Sequence, residues 1–133
     1  MPKPFNIGRR TTRIEPGAGL NRGDVVIVAT GGAFGGKPRP ALVLQSDAIR
    51  TGTAIVALFT SQLRHADPIR PSFTASPQNG LLRQSELMVD ILVTAQRDEI
   101  GKVVGRLDRD DLRRAEQALL AILGFAASPD GPR

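Results

Sequence analysis

The chain has 133 residues, 18 Lys+Arg against 13 Asp+Glu, a net charge of +5 and a sequence pI near 11.0; that is enough for one domain with its own core and suits a polyanionic partner, nucleic acid first. The absence of cysteine and the single histidine, His65, exclude a disulfide scaffold, a thiol nucleophile, a thiolate metal site and a multi-histidine zinc site. No apolar run approaches the ~18 residues of a membrane span, and the opening MPKPFNIGRR lacks the apolar stretch of a secretory signal, so a cytoplasmic location is expected.

Residues 1–21 carry Pro, Gly, Arg and Thr without apolar periodicity and read as a basic arm, with Arg9, Arg10 and Arg13 open to phosphates or simply solvated. Asp24 to Ala29 is a β-branched strand. The glycine-rich segment Gly31 to Gly36 is a loop, either a plain hairpin connection or a lid over a groove. A second strand is predicted over Ala41 to Gln45. A turn follows over Asp47 to Gly52, then a third strand over Thr53 to Thr60, continuously apolar and so buried on both faces. Pro68 and Pro71 flank the next apolar residues and mark an edge strand near Phe73. Asn79-Gly80 is a strong turn signal. Two more strands are predicted over Glu86 to Val93 and Lys102 to Leu107. The period then changes to 3.6 with Leu112, Ala115, Leu119 and Ile122; Asp108 is placed to cap this helix and Gly124 to end it. Residues 126–133 read as a tail. Five or six short strands followed by one helix predict an α+β domain over 22–125, a small, partly closed antiparallel β-barrel with a C-terminal amphipathic helix.

Gly31 to Lys37 matches seven positions of a nucleotide-binding P-loop, but Pro38 replaces the required Ser or Thr. Pro38 and Pro40 also hold Lys37 and Arg39 in extended backbone, where a P-loop needs a helix. Arg39 stands out because two prolines preset its backbone at the mouth of a strand. Its planar guanidinium is then either a phosphate grip or a solvent-facing cation. Thr60, Ser61 and Gln62 end a strand with groups able to donate to an oxyanion or to make an ordinary turn. Arg64 and His65 follow directly. Asp90 interrupts an apolar strand; it lies on an open face or pairs with a cation, for which Arg39 is a candidate. The acidic residues are scattered, so no metal constellation and no cofactor are expected.

Across Arg22-Gly-Asp-Val-Val, Gly36-Lys-Pro-Arg-Pro-Ala-Leu-Val-Leu-Gln-Ser-Asp47, Val56-Ala-Leu-Phe-Thr-Ser61, Asn79-Gly-Leu, Met88-Val-Asp-Ile-Leu-Val-Thr94 and Ile100-Gly-Lys-Val-Val-Gly-Arg-Leu-Asp108, on to Leu123-Gly-Phe125, the chain resembles the MazF/PemK family of toxin endoribonucleases. The resemblance implies an SH3-like barrel with a C-terminal helix (the fold shared with CcdB), a homodimer and single-stranded RNA bound along its interface. It implies metal-independent, sequence-specific cleavage, usually of mRNA, and inhibition by a cognate, acidic-tailed antitoxin. Carried over by position, Arg39 matches the family's catalytic arginine, Thr60 its catalytic hydroxyl and Asp90 an acidic residue that acts in some members. Ile91 and Val93 stand where the family often has Gln and Arg. On this reading RNA's own 2′-OH attacks the phosphate, Arg39 stabilises the charge with Thr60 and Ser61, and Asp90 or His65 takes the proton. Lys37, Ser61, Gln62, Arg64, His65 and Arg83 are then the candidate RNA-binding residues. Two other functions fit the same barrel: a gyrase poison of the CcdB type, and an RNA-binding module without catalysis.

Overall fold

The computed structural model describes residues 19–29, 37–65 and 69–125. Most of the basic arm, the glycine loop and the tail lie outside the described residues. One antiparallel sheet of six strands curls into a half-barrel, with a single helix packed on it. The strands are β1 (Asp24–Val28), β2 (Arg39–Val43), β3 (Thr53–Thr60), β4 (Ser72–Phe73), β5 (Ser85–Gln96) and β6 (Ile100–Arg106), in spatial order β4-β5-β3-β2-β1-β6. The helix α1 (Arg109–Leu123) follows β6.

Alternation of side chains sends each strand's apolar residues to two faces. Val25, Leu42, Ala57, Phe59, Leu87 and Val89 form one core under the helix residues Ala115 and Ala118. Val26, Val28, Ala41, Val43, Val56, Leu58 and Met88 form a second core on the other face, closed at one side by Leu20. Packing thus begins before residue 22. The helix is fixed at both ends by local chemistry. The Asp108 carboxylate accepts from the Asp111 amide at 2.8 Å, and Gly124 adopts the left-handed conformation with φ 79°. In its middle, Arg114 lies over the Phe73 ring and donates to the Ser72 carbonyl at 2.8 Å. Phe73 in turn meets Phe59 edge-to-face.

Several details depart from the local signals. The strand expected from Ala41 starts at Arg39, and includes Pro40 although β2 is an interior strand. Pairing with β3 begins only at Ala41, so Pro40 needs no amide on that side; on the other side it faces Ile27 of β1. The third strand is not buried throughout: Ile55 is exposed because the helix does not reach it. The strand expected to end at Val93 runs to Gln96, held by pairing with Thr53. Asn79-Gly80 is not the tip of a two-residue hairpin. It belongs to a turn that folds onto β6. The Gly80 amide donates to the Ser76 carbonyl, Arg106 donates to the Gln78 carbonyl, and a Cβ on Gly80 would lie 2.2 Å from the Val104 oxygen.

Candidate functional site

The register brings the first two expected residues together. Val28 pairs with Arg39, and Ala41 pairs with Leu58. That second ladder ends at Ala41–Leu58, and Arg39 and Thr60 lie two residues beyond it on the two adjacent strands. Thr60 pairs with Glu86, and Glu86 with Ser72. One end of the sheet therefore carries a row of Val28 with Arg39 and of Thr60 with Glu86 and Ser72, which strand alternation turns to the face of the second core. The row lies at one end of the sheet. Lys37, Ser61, Gln62, Arg64, His65 and Arg83 sit on the chain segments that enter or leave the strands at this end, and all are exposed.

Arg39 is half-buried, and its Nε is the buried side-chain nitrogen or oxygen that lacks a hydrogen-bond partner among the described residues. A buried donor left open costs stability unless a ligand fills it. Thr60 Oγ1 accepts from the Gln62 amide at 3.1 Å. A hydroxyl has one proton to give and two lone pairs, so this bond leaves the Thr60 proton free to donate.

Asp90 does not pair with Arg39. Its carboxylate is gripped by both arms of Arg70, at 3.1 and 3.2 Å. Arg70 lies just before β4, which flanks β5, whereas Arg39 lies beyond β3. The Arg70 hydrogen bonds hold the Asp90 carboxyl below its ordinary value, against the smaller opposing effect of burial. A carboxylate so held is a poor proton acceptor at neutral pH.

Glu86, which the sequence shows only as the start of a strand, is a second acidic residue of the site. It is 1% exposed. Its two oxygens accept from the amides of Arg64, at 2.9 and 3.0 Å, and His65, at 2.8 Å. Burial pushes its carboxyl up, but these amides and nearby positive charge outweigh burial and leave it below the ordinary value. The signal available in the sequence was parity: Glu86 shares its strand face with buried Met88.

Among the described residues no group of three His, Asp or Glu is placed to hold a metal ion, and no helix is long and apolar enough to cross a membrane. Phe59 and Phe73 are core, so they offer no surface to a base; Phe125 is exposed at the helix end. A cavity of about 460 Å³ lies beside the start of the helix, lined by Arg106, Arg109 and Arg113 among others. Arg106 pairs with Asp24, which puts this cavity at the opposite end of the sheet.

Comparison with known proteins bears on this geometry. Residues 21–123 match the family model described as the PemK-like, MazF-like toxin of type II toxin–antitoxin systems. A probable endoribonuclease MazF of Mycolicibacterium smegmatis is 38% identical over 108 residues, 80% of this chain and 99% of the relative. Solved structures share the fold at lower identity. An endoribonuclease in complex with its cognate antitoxin, from a mycobacterial species, superposes with a TM-score of 0.69 at 20% identity, over 82% of this chain and 99% of that one. The Mycobacterium tuberculosis toxin MazF-mt6 gives 0.67 at 19% identity, over 77% and 98%. A MazE–MazF complex from Deinococcus radiodurans gives 0.64 at 22%, over 80% and 97%.

Proposed function

Since the chain belongs to the PemK-like, MazF-like toxin family of type II toxin–antitoxin systems, we propose that it is a sequence-specific endoribonuclease that cuts single-stranded RNA without a metal ion. The observation that carries the reading is the open Arg39 Nε at the start of β2, at the same end of the sheet as the Thr60 hydroxyl that closes the neighbouring strand β3. The substrate supplies the nucleophile. Its 2′-oxygen loses its proton and attacks the adjacent phosphorus, the bond to the 5′-oxygen breaks and that oxygen takes up a proton from solvent, and the products are a 2′,3′-cyclic phosphate and a 5′-OH. Arg39 donates to a non-bridging oxygen and neutralises the charge that grows there; Thr60 donates to the same group. The row holds both on strands, so the donors are in place before the phosphate arrives.

The 2′-proton passes to His65, or to Asp90 once Arg70 turns from it to the RNA. Lys37, Ser61, Gln62, Arg64 and Arg83 line the rim where the flanking nucleotides run. The neighbours solved with an antitoxin support a cognate antitoxin as partner, which inhibits by covering this basic rim; the toxin itself acts as a homodimer on this reading.

The test is incubation of the purified protein with long transcripts in EDTA, followed by mapping of 5′ ends. Wild type is expected to cut at a recurring short motif and to leave 5′-OH ends. Arg39→Ala is expected to stay folded by circular dichroism and to lose about 10²-fold or more in rate, as when one donor to a transition-state oxyanion is removed. A wild type that leaves every transcript intact while trapping gyrase on DNA would replace this reading with the gyrase-poison one.

A further inference from the structure

We infer that Glu86 is a positioning residue for RNA cleavage: its buried carboxylate ties down the 61–65 segment and so sets Thr60 and the rim residues against the scissile phosphate. The inference rests on the endoribonuclease reading.

Its basis is the geometry of one charge. Glu86 is 1% exposed, yet the hydrogen bonds to its carboxylate come from the backbone amides of Arg64 and His65. Burying a charge is costly unless hydrogen bonds satisfy it, and here backbone amides of the 61–65 segment supply them. What Glu86 holds is the segment that leaves β3 directly after Thr60. That segment is fastened at two points: the Thr60 hydroxyl accepts the Gln62 amide, and Glu86 accepts the next ordered pair of amides. His65 has φ 56°, a left-handed backbone uncommon for a non-glycine residue, and its amide is bonded to Glu86.

Glu86 is also the direct cross-strand partner of Thr60. With the carboxylate occupied by amides it does not compete for Arg39, whose Nε stays open. Loosening the segment would leave Arg39 and the Thr60 backbone on their strands, but would free the Thr60 hydroxyl from the Gln62 amide and unseat the rim residues 61–65. The effect should therefore appear in the rate of the chemical step, through the Thr60 hydroxyl and His65, and to a lesser degree in RNA affinity, through the rim.

The experiment compares wild type, Glu86→Gln and Glu86→Leu on one mapped cleavage site of a defined transcript. It measures kcat and KM, thermal unfolding, and the amide proton shifts of Arg64 and His65 by NMR. Expected are folded variants, loss of the carboxylate-bonded shifts of those two amides, and a fall in kcat of about 10²-fold, the scale of a 1 Å misplacement, with a rise in KM smaller than that fall. Folded variants with wild-type kcat would overturn the inference, and so would variants that both fail to fold, since Glu86 would then be structural. A wild type inactive on all transcripts would sink the endoribonuclease reading, while the amide shifts would still report whether Glu86 holds the segment.

Discussion

At the scale of single residues, the site is a set of charges kept apart. Arg70 occupies Asp90, loop amides occupy Glu86, and Arg39 is left open. The Arg70–Asp90 pair has a measurable signature. The Asp90 carboxyl is held below its ordinary value, so the folded chain favours its ionised form. The stability this contributes is present above the unfolded carboxylate value near pH ~3.9 and is lost as pH falls through the lower folded value. We expect Asp90→Asn to melt below wild type by a constant margin above about pH 5, and that margin to shrink steadily below about pH 4. Thermal melts from pH 7 to pH 2.5 check this; a margin that widened on acidification would contradict the pairing.

Residue types told part of this in advance. Arg39 stood out because two prolines fix its backbone, and Thr60 because it ends an apolar run, but their place in the chemistry came from the family resemblance. Arg70 was not, because its partner lies twenty residues away and only the β4–β5 pairing brings them together. Glu86 was missed because a carboxylate satisfied by backbone amides needs no charged neighbour to announce it.

Elements were legible where their causes are local. The helix follows from a cap, a period and a glycine, and β3 from an unbroken apolar run; both lie where the sequence places them. The ends of β2 and β5 were not, because they are set by pairing with distant strands. The Asn79-Gly80 turn shows the same limit. Its turn chemistry is visible in the sequence, but its role is to press against β6. A Cβ on Gly105 would lie 2.4 Å from the Asn79 carbonyl carbon and 2.5 Å from the Gln78 oxygen, both backbone atoms that cannot step aside. Gly105→Ala is therefore expected to destabilise by about 2–3 kcal/mol, the range of an overpacked interior. Gly52→Ala, which meets nothing within 4 Å, should stay within about 0.5 kcal/mol of wild type. Urea unfolding of the two variants decides it, and equal midpoints would show that the turn does not sit on β6.

For the whole molecule, the dominant quantity is the net charge of +5. Neutralising phosphates releases counterions, so affinity for single-stranded RNA should fall linearly on a log–log plot against salt, with a slope of about −0.7 per phosphate contact. Anisotropy titrations of a labelled single-stranded RNA, with the Arg39→Ala protein to prevent cutting, measure the slope. Adding Lys37→Ala or Arg64→Ala should each reduce it by about 0.7. A slope unmoved by both would place the RNA elsewhere on the molecule.

The row at one end of the sheet also divides labour. The two groups assigned to the chemistry stand on strands locked into the core, while the groups assigned to reading bases stand on the short segments that leave those strands. On the proposed reading, retargeting such a protein to a new RNA word means changing the exposed side chains of 61–65 and 81–84 while keeping the backbone bonds to Glu86 and Thr60 that fix the segment.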